Sequence, residues 1–314
     1  MTTSEKSQID AVYTWVNHRD PTWQALYGQA SKNEKIIEGE HDSARSGARF
    51  YSRDELYYSI KSLRKYAPWI RTIYIVSNCA RPAWLDDFDD IQYVLHQAIF
   101  PNPAALPTFN SKAIESVLHR IDGLSERFLY LNDDFFLCQI MHPDDFFWGD
   151  EGIYFFPSKH DIPYSLEPSK LRPVDQGAIN SSRLLTKRFG QTPKKKLQHA
   201  PYALSKSMLM EIENYYSLEM RVTRSHPFRH PEDIAMTTTL HAYYAFYTGR
   251  GKPREINTRY IDIGDPLFLL LVHPWSPLMR GKYATLCLNE VASIPHFAKA
   301  RDWVVCRLMK RLFD

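Results

Sequence analysis

Short apolar runs alternate with segments of helical spacing over the first 130 residues, and this alternation constrains the fold more than any other feature. The predicted strands are Ile9–Val16, Thr72–Ser77, Ile91–His96 and Arg127–Leu131. The predicted helices between them are Arg53–Tyr66 and Ser111–Ile121. Strands that alternate with helices are typical of an α/β fold with a mainly parallel sheet.

The pattern changes after residue 155, where helical stretches dominate. They cover about 175–188, 202–217 and 231–247, and proline-rich segments separate them. We therefore predict an α/β core over 1–155, a C-terminal helical lobe over 156–290 that completes the site, and a basic amphipathic helix over 291–314. That last helix can either pack its apolar stripe on the core or lie on an anionic membrane surface.

Charge and glycine content exclude several classes of protein. Lys plus Arg number 39 and Asp plus Glu 36, so the net charge of +3 does not indicate a nucleic-acid partner. The 12 glycines form neither GxGxxG nor GxxxxGK, so any phosphate must be held by charged side chains, a metal ion or helix N-termini. The four cysteines are widely spaced, which favours a cytoplasmic protein with reduced thiols. The longest apolar run, Leu267–Val272, is much shorter than the segment needed to span a bilayer.

Two acidic motifs are candidate metal sites. Tyr130-Leu131-Asn132-Asp133-Asp134 is an apolar strand that runs directly into two carboxylates. Ligands bind beyond the carboxyl ends of strands in open α/β sheets, and hard divalent cations prefer oxygen ligands. Asp87-Phe88-Asp89 is a DxD pattern of the kind that holds a metal in many nucleotide-sugar enzymes. A solvated turn and an exposed acidic loop are the structural alternatives.

Four single residues are weaker candidates on sequence alone. Asp10 lies inside an apolar strand, where a carboxylate is unfavourable unless it is paired or functional. Arg229 and His199 each stand before a predicted helix, and Arg229 could bind a phosphate there. Glu115 lies on a predicted helix, where a solvated carboxylate is the common case.

Several blocks, taken in order, resemble one family. The first, IDAVYTWVNHRDPTW, resembles the first conserved region of the Stealth proteins, and the others resemble the second, third and fourth regions. These blocks are residues 9–23, 48–86, 106–136, 198–204, 228–235 and 286–290. The Stealth family comprises sugar-1-phosphate transferases, among them bacterial capsule polymerases and the lysosomal-enzyme N-acetylglucosamine-1-phosphotransferase.

The resemblance implies an activity and a fold. The activity is transfer of a hexose-1-phosphate from a UDP-sugar to a hydroxyl of an oligosaccharide or polysaccharide acceptor, in capsule or exopolysaccharide synthesis. The products are a phosphodiester and UMP. The implied fold is a modified Rossmann-like sheet with a divalent cation, Mg²⁺ or Mn²⁺. We expect a cytoplasmic enzyme with no nucleic-acid partner, and with peripheral contact to the inner membrane through the C-terminal helix.

The resemblance also carries residue roles onto this sequence. The implied catalytic residues are Glu115, Asp134, His199 and Arg229, with either Glu115 or His199 as the base. We predict Asp134, Asp133 and Glu290 as metal ligands, although Glu290 stands where the family has an aspartate. The predicted substrate contacts are Asp10, Tyr13, Trp15, Asn17, Arg49, Glu55, Asn110 and Asn289. The alternatives are a metal-dependent glycosyltransferase that uses Asp87 and Asp89 and releases UDP, and a non-catalytic carbohydrate-binding protein.

Overall fold

The computed structural model describes residues 8–33, 50–167, 170–265, 268, 283–290 and 298–314. The strands are β1 (Ile9–Thr14), β2 (Ile70–Ser77), β3 (Ile91–Leu95), β4 (Arg127–Asn132), β5 (Phe135–Leu137), β6 (Phe147–Trp148), β7 (Gly152–Phe155), β8 (Pro157–Asp161), β9 (Lys195–Leu197), β10 (Tyr202–Ser205), β11 (Gly251–Pro253), β12 (Thr258–Asp262) and β13 (Thr285–Asn289). The helices are α1 (Pro21–Asn33), α2 (Glu55–Tyr66), α3 (His96–Ile99), α4 (Ser111–Glu115), α5 (Pro173–Phe189), α6 (Lys206–Tyr215), α7 (Ser217–Ser225), α8 (His241–Tyr247) and α9 (Ala298–Phe313).

A five-stranded sheet in the order β10-β4-β1-β2-β3 forms the centre of the molecule. The pairs β4–β1, β1–β2 and β2–β3 are parallel, whereas β10 is antiparallel to β4. The predicted α/β fold with a mainly parallel sheet is therefore confirmed. The four parallel strands end side by side, because Thr14 pairs with both Asn132 and Val76, and Ser77 pairs with Leu95. This shared edge positions the residues that follow each strand.

Two predicted helices are shorter than the sequence indicated. Residues 202–205 form strand β10 because Ala203 and Leu204 are buried against β4, and α6 begins only after Ser205. The hydroxyl of Ser205 caps that helix by accepting a hydrogen bond from the Met208 N–H at 3.2 Å. The predicted helix 111–121 ends at Glu115 and is followed by a 3₁₀ turn.

Strands also cross the predicted boundary at residue 155. β10 belongs to the central sheet, β11 pairs with β7, and β13 pairs with β5. Helix α8 starts later than predicted, because residues 228–235 form a turn and a π-helical turn occupies Met236–Leu240. The lobe over 156–290 therefore contributes strands as well as helices, and the division into domains stays a prediction.

The C-terminal helix α9 packs on the protein. Val305, Leu308, Met309 and Phe313 are buried against residues of β5, β12 and β13, and the Phe313 ring stacks on Phe136 with centroids 5.1 Å apart. Packing was one of the two alternatives for this helix, and membrane contact stays a prediction. Within the described residues, no helix has both the length and the apolar character needed to cross a membrane.

Candidate active site

A cavity of about 390 Å³ lies over the shared carboxyl edge of the parallel strands. Residues that directly follow β1, β2, β3 and β4 line one side of it, which is where open α/β sheets bind ligands. The other side is lined by α4, the start of α5, the segment before β10, and the turn that follows α7. The cavity holds all four predicted catalytic residues, namely Glu115, Asp134, His199 and Arg229.

Asp133 and Asp134, here called the acidic pair, occupy the turn between β4 and β5. Asp134 Oδ2 accepts a hydrogen bond from Asn289 Nδ2 at 2.9 Å, while its Oδ1 is buried with no hydrogen-bond partner in the described part of the chain. Burial raises the pKa of Asp134 to about 6. Burial, Asp134 and Glu55 raise the pKa of Asp133 well above its usual value.

The acidic pair fits a divalent cation. Its ligand atoms are carboxylate oxygens, which Mg²⁺ and Mn²⁺ prefer. Buried carboxylates that repel each other are unfavourable without a nearby positive charge. Burial raises the pKa of both carboxyl groups, and repulsion by Asp134 raises the pKa of Asp133 further. Asn289, a predicted substrate contact, lines the cavity and donates a hydrogen bond to Asp134 through its amide.

Glu115 and Arg229 lie on the wall opposite the acidic pair. Glu115 Oε2 accepts a hydrogen bond from the Thr237 hydroxyl at 2.7 Å, and burial raises the pKa of Glu115. Arg229 Nη2 donates to Ser111 Oγ at 2.9 Å. Burial lowers the pKa of Arg229, and Glu115 and Asp233 oppose that change. Guanidinium groups stay protonated in proteins, so Arg229 supplies a fixed positive charge to the cavity.

His199 lies between β9 and β10 and contacts two aromatic rings. Its ring is edge-on to Phe135, with centroids 6.2 Å apart, and 5.0 Å from the ring of Tyr260. Burial, together with the positive charges of Arg172 and Lys196, lowers the pKa of His199 to about 4. The imidazole is therefore neutral at pH 7, with one unprotonated ring nitrogen.

A second group of charges, here called the arginine network, lies beside the acidic pair. It consists of Arg53, Glu55, Glu290, Arg301 and Asp302. Arg53 contacts Glu290 at 2.5 Å, Asp302 at 2.6 Å and Glu55 at 3.3 Å, and Arg301 binds the other oxygen of Glu290. Both oxygens of Glu290 thus contact a guanidinium group, so this predicted metal ligand is less suited to a cation than the acidic pair. Glu55 lines the cavity but is likewise held by Arg53.

Several predicted substrate contacts lie away from the cavity lining. Asp10 is at the opposite end of β1, where it binds Arg71 at 2.6 Å and accepts the Ser125 N–H at 2.7 Å. Tyr13 is buried in the core with its hydroxyl 2.9 Å from Ser59 Oγ. Asn110 caps α4 and donates to Asp233 at 2.8 Å. These side chains are satisfied inside the protein, which explains their polar character without a ligand.

The other predicted residues differ in whether they line the cavity. Trp15 lines the cavity, whereas Asn17 does not, and Arg49 lies outside the described residues. Asp87 and Asp89 are exposed and are not among the described residues that line the cavity. The DxD motif therefore has the environment of an acidic loop.

Sequence reasoning missed Arg53, Lys112 and Tyr260, which all line the cavity. Arg53 and Lys112 fall inside the blocks that carry the family resemblance. Their positions, two residues before Glu55 and directly after Ser111, were a usable signal. Tyr260 had no local signal, because it reaches the cavity only through the pairing of β12 with β13.

Comparison with known proteins identifies the family. Models of the Stealth protein family match as conserved region 1 over residues 7–35, conserved region 2 over 49–155 and conserved region 3 over 198–246. The chain belongs to the Stealth family. The resemblance of residues 286–290 to a fourth region stays a prediction.

Named relatives match over most of the chain. An exopolysaccharide phosphotransferase of Streptomyces coelicolor is 43% identical, and the match covers 92% of this chain and 48% of the relative. The exopolysaccharide phosphotransferase CpsY of Mycobacterium tuberculosis is 36% identical, with 93% and 54% covered. The chain thus spans about half the length of these relatives.

Solved structures match more distantly. The galactosyltransferase LgtC in complex with donor and acceptor sugar analogs matches with a TM-score of 0.46 at 10% identity, covering 97% of this chain and 96% of that one. A likeness at this level supports no statement about activity.

Proposed function

We propose that this chain transfers a sugar-1-phosphate from a UDP-sugar to a hydroxyl of a glycan acceptor, in capsule or exopolysaccharide synthesis. The observation that carries the proposal is one cavity that combines the acidic pair, a neutral histidine and a buried arginine. The relatives named exopolysaccharide phosphotransferases support the same reaction class.

The reaction requires one bond to form and one to break. The acceptor oxygen attacks the phosphorus that carries the sugar, and the bond from that phosphorus to the oxygen bridging the two phosphates breaks. UMP leaves with the bridging oxygen, and the product is a phosphodiester. Phosphoryl transfer depends mainly on positioning and on neutralising charge, which suits a site of fixed charges without a covalent nucleophile.

The proposed role of each residue in the transfer follows from its charge and its contacts. Arg229 neutralises negative charge on the transferred phosphoryl group, and Ser111 holds its guanidinium in place. His199 is the proposed base, because its ring is neutral and its Nδ1 is buried with no hydrogen-bond partner in the described residues. Glu115 is the proposed positioning residue near Arg229, because Thr237 already donates to its carboxylate.

Asp134 and Asp133 would hold the divalent cation, Mg²⁺ or Mn²⁺. The cation would neutralise charge on the donor diphosphate. Asn289 would keep Asp134 Oδ2 in place and leave Oδ1 directed to the cation. The cytoplasm is the proposed compartment, since Cys79, Cys138, Cys287 and Cys306 are free thiols. Peripheral contact of α9 with the inner membrane stays part of the proposal.

The test is product analysis. The protein is incubated with UDP-sugars, Mg²⁺ and an oligosaccharide acceptor, and the nucleotide and phosphorus products are measured. UMP together with a phosphodiester phosphorus signal supports the proposal. UDP release indicates the alternative glycosyltransferase, and no turnover with any donor indicates a carbohydrate-binding protein.

Variants assign the base. We expect His199→Ala to reduce turnover by about 10²- to 10⁴-fold, with partial rescue by added imidazole. The matched control replaces Asp87 and Asp89 by Asn, which should leave turnover unchanged. Rescue of Glu115→Ala by acetate, with no rescue of His199→Ala by imidazole, would instead make Glu115 the base.

A further inference from the structure

One buried carboxylate close to Arg229 in the chain binds three groups inside the protein. Asp233 is fully buried and is not among the described residues that line the cavity. Its Oδ2 accepts hydrogen bonds from Asn110 Nδ2 and from the backbone N–H of His230, both at 2.8 Å. Its Oδ1 lies 2.8 Å from Nδ1 of His226. A buried carboxylate is unfavourable without such bonds, so its partners indicate what the side chain is for.

Two of these partners belong to the segment that carries Arg229. This segment, residues 226–233, is here called the arginine loop, and it follows α7. His226 is its first residue, and His230 directly follows Arg229, whose side chain lines the cavity. Asp233 therefore bonds the end of the loop to its beginning and to the residue next to Arg229. Side-chain bonds of this kind fix the backbone of a turn, and here they fix the position from which the guanidinium extends.

The third partner stands at the start of α4, a helix that forms part of the cavity wall. Asn110 caps α4 through its Oδ1, and its amide nitrogen binds Asp233. Two further contacts join the same two segments. The Phe109 N–H donates to Pro227 O at 2.7 Å, and the Phe109 ring stacks on Phe228 with centroids 5.5 Å apart. The arginine loop is therefore bound to the start of α4 by side chain, backbone and ring contacts.

Helix α4 also contacts the side chain of Arg229. Ser111 Oγ accepts hydrogen bonds from Arg229 Nη2 at 2.9 Å and from Arg229 Nε at 3.3 Å. Glu115 is the last residue of α4 and lines the cavity. Arg229 is thus held at two points, its backbone through Asp233 and its guanidinium through Ser111. Both points are tied to the helix that carries Glu115.

We propose that Asp233 is a positioning residue, which fixes Arg229 relative to Glu115 by joining the arginine loop to the start of α4. The assignment rests on the proposed function only in taking Arg229 to contact the transferred phosphoryl group. A displacement of about 1 Å at such a group can cost about 10²-fold in rate. Asp233 itself makes no contact with the substrate in this assignment and acts through its three partners.

The first experiment separates hydrogen bonding from charge. Asp233→Ala removes all three bonds, and kcat should fall about 10²-fold. Asp233→Asn keeps them, because its amide oxygen accepts from Asn110 and His230 and its amide nitrogen can donate to Nδ1 of a neutral His226. Its kcat should return to within about ten-fold of that of the wild type. If Asp233→Asn is as slow as Asp233→Ala, the proposed positioning by hydrogen bonds is wrong.

The second experiment tests whether Asp233 acts through Arg229. Arg229→Lys keeps the positive charge but lacks the planar fork that binds a phosphoryl group. In that background Asp233→Ala should lower kcat less than about three-fold, because the group that it positions is already gone. A residue needed only for stability would lower kcat by the same factor in both backgrounds. A loss of about 10²-fold in both would therefore overturn the proposal.

Asp10→Ala is the matched control. Asp10 is also fully buried, and its carboxylate binds Arg71 and backbone N–H groups at the opposite end of β1. This variant should lose thermal stability and keep kcat within about two-fold of the wild type. A loss of kcat as large as that of Asp233→Ala would show that turnover follows destabilisation alone, which would overturn the assignment.

A second variant covers the case in which Asp233→Ala does not fold. Asn110→Ser keeps a hydroxyl that can cap α4 but removes the amide that donates to Asp233. Its thermal unfolding should stay cooperative, and its kcat should fall about ten-fold. Unchanged kcat in this variant would overturn the link between the arginine loop and α4.

Crystal structures of these variants test the assignment without turnover. In Asp233→Ala or Asn110→Ser, the Arg229 guanidinium should lie beyond hydrogen-bonding distance of Ser111 Oγ. If the wild type turns over no donor but Arg229 is displaced in this way, the proposed function is wrong and the positioning role stands. If the wild type releases UMP from a UDP-sugar but Arg229 keeps its place in a folded variant, the positioning role is wrong and the proposed function stands.

Discussion

The acidic pair and three members of the arginine network, Arg53, Glu55 and Glu290, line the same cavity, but the two groups differ in how their charges are compensated. In the network, Arg53 contacts all three carboxylates and Arg301 contacts two of them. In the acidic pair, Asp134 has an amide and a thiol for partners and one buried oxygen with none in the described chain. The carboxylates of the network thus hold α9 and α2 together through the two arginines, whereas Asp134 has no arginine or lysine partner among the described residues.

The difference is visible in their electrostatics. Burial and the nearby carboxylate of Glu55 raise the pKa of Asp133 and Asp134, and repulsion by Asp134 adds to the rise at Asp133. The guanidinium of Arg53 instead holds the pKa of Asp302 below its usual value. Clusters with perturbed pKa values in clefts are candidate functional sites, and paired clusters are more often structural. Burial alone therefore does not mark a candidate functional carboxylate, whereas burial without a counter-charge among the described residues does.

The largest expected effect follows from Asp134→Asn. Losing this carboxylate should lower turnover about 10³-fold or more, because the charge that holds the cation is removed. Thermal stability should stay the same or rise, since repulsion with Asp133 is relieved. Steady-state kinetics and calorimetric unfolding check both parts. Near-normal turnover would show that the acidic pair is not catalytic.

Replacing a carboxylate of the arginine network by an amide should lower stability and leave turnover unchanged. Glu290→Gln leaves Arg53 and Arg301 without one shared carboxylate, so the free energy of unfolding should fall by about 3 kcal/mol. Metal affinity and kcat of the folded protein should be retained. Denaturant unfolding and metal titration measure the two quantities. A large loss of metal affinity at unchanged stability would restore Glu290 as a metal ligand.

Asp10→Asn tests a paired carboxylate outside the cavity. Asp10 is fully buried and binds Arg71 together with backbone N–H groups. We expect the free energy of unfolding to fall by about 2 kcal/mol, because charge-assisted hydrogen bonds are weakened. The KM for the donor should not change. A raised KM with unchanged stability would contradict this and return Asp10 to the substrate contacts.

The smallest expected effect is a pH dependence of metal binding. The pKa of Asp134 is raised to about 6, so below pH 6 a proton competes with the cation for this carboxylate. Metal affinity should be steady above pH 7 and fall about ten-fold from pH 7 to pH 5. Calorimetric titration with Mn²⁺ measures it, and Glu290→Gln should show the same dependence. An affinity independent of pH between 5 and 7 would contradict the assignment of Asp134.

Local pattern predicted the central sheet well. The apolar runs at residues 9–16, 72–77, 91–96 and 127–131 are strands, because a buried parallel strand needs continuous apolar residues. The apolar pattern wrongly predicted a helix at residues 202–205. Apolar residues there are compatible with a helix or a strand, and pairing with β4 makes them a strand.

Site residues could be predicted where they directly follow a recognisable apolar strand in the sequence. Asp133 and Asp134 follow a strand directly, so their place at the carboxyl edge follows from the sequence. Asp10 is the second residue of the predicted strand Ile9–Val16, so the sequence already placed it away from the carboxyl edge. What the sequence did not reveal is that Asp10 pairs with Arg71 and that Tyr13 points into the core. Both side chains find partners in segments far along the chain.

The sequence by itself determined the family, the parallel strands and the carboxylates that follow them, because each depends on residues close together in the chain. Only the tertiary structure decided which carboxylates are compensated. Glu290 meets Arg53 across 237 positions, and Asn289 meets Asp134 across 155. Compensation of a buried charge depends on which distant groups the fold brings within a few ångströms, and no local pattern encodes that distance.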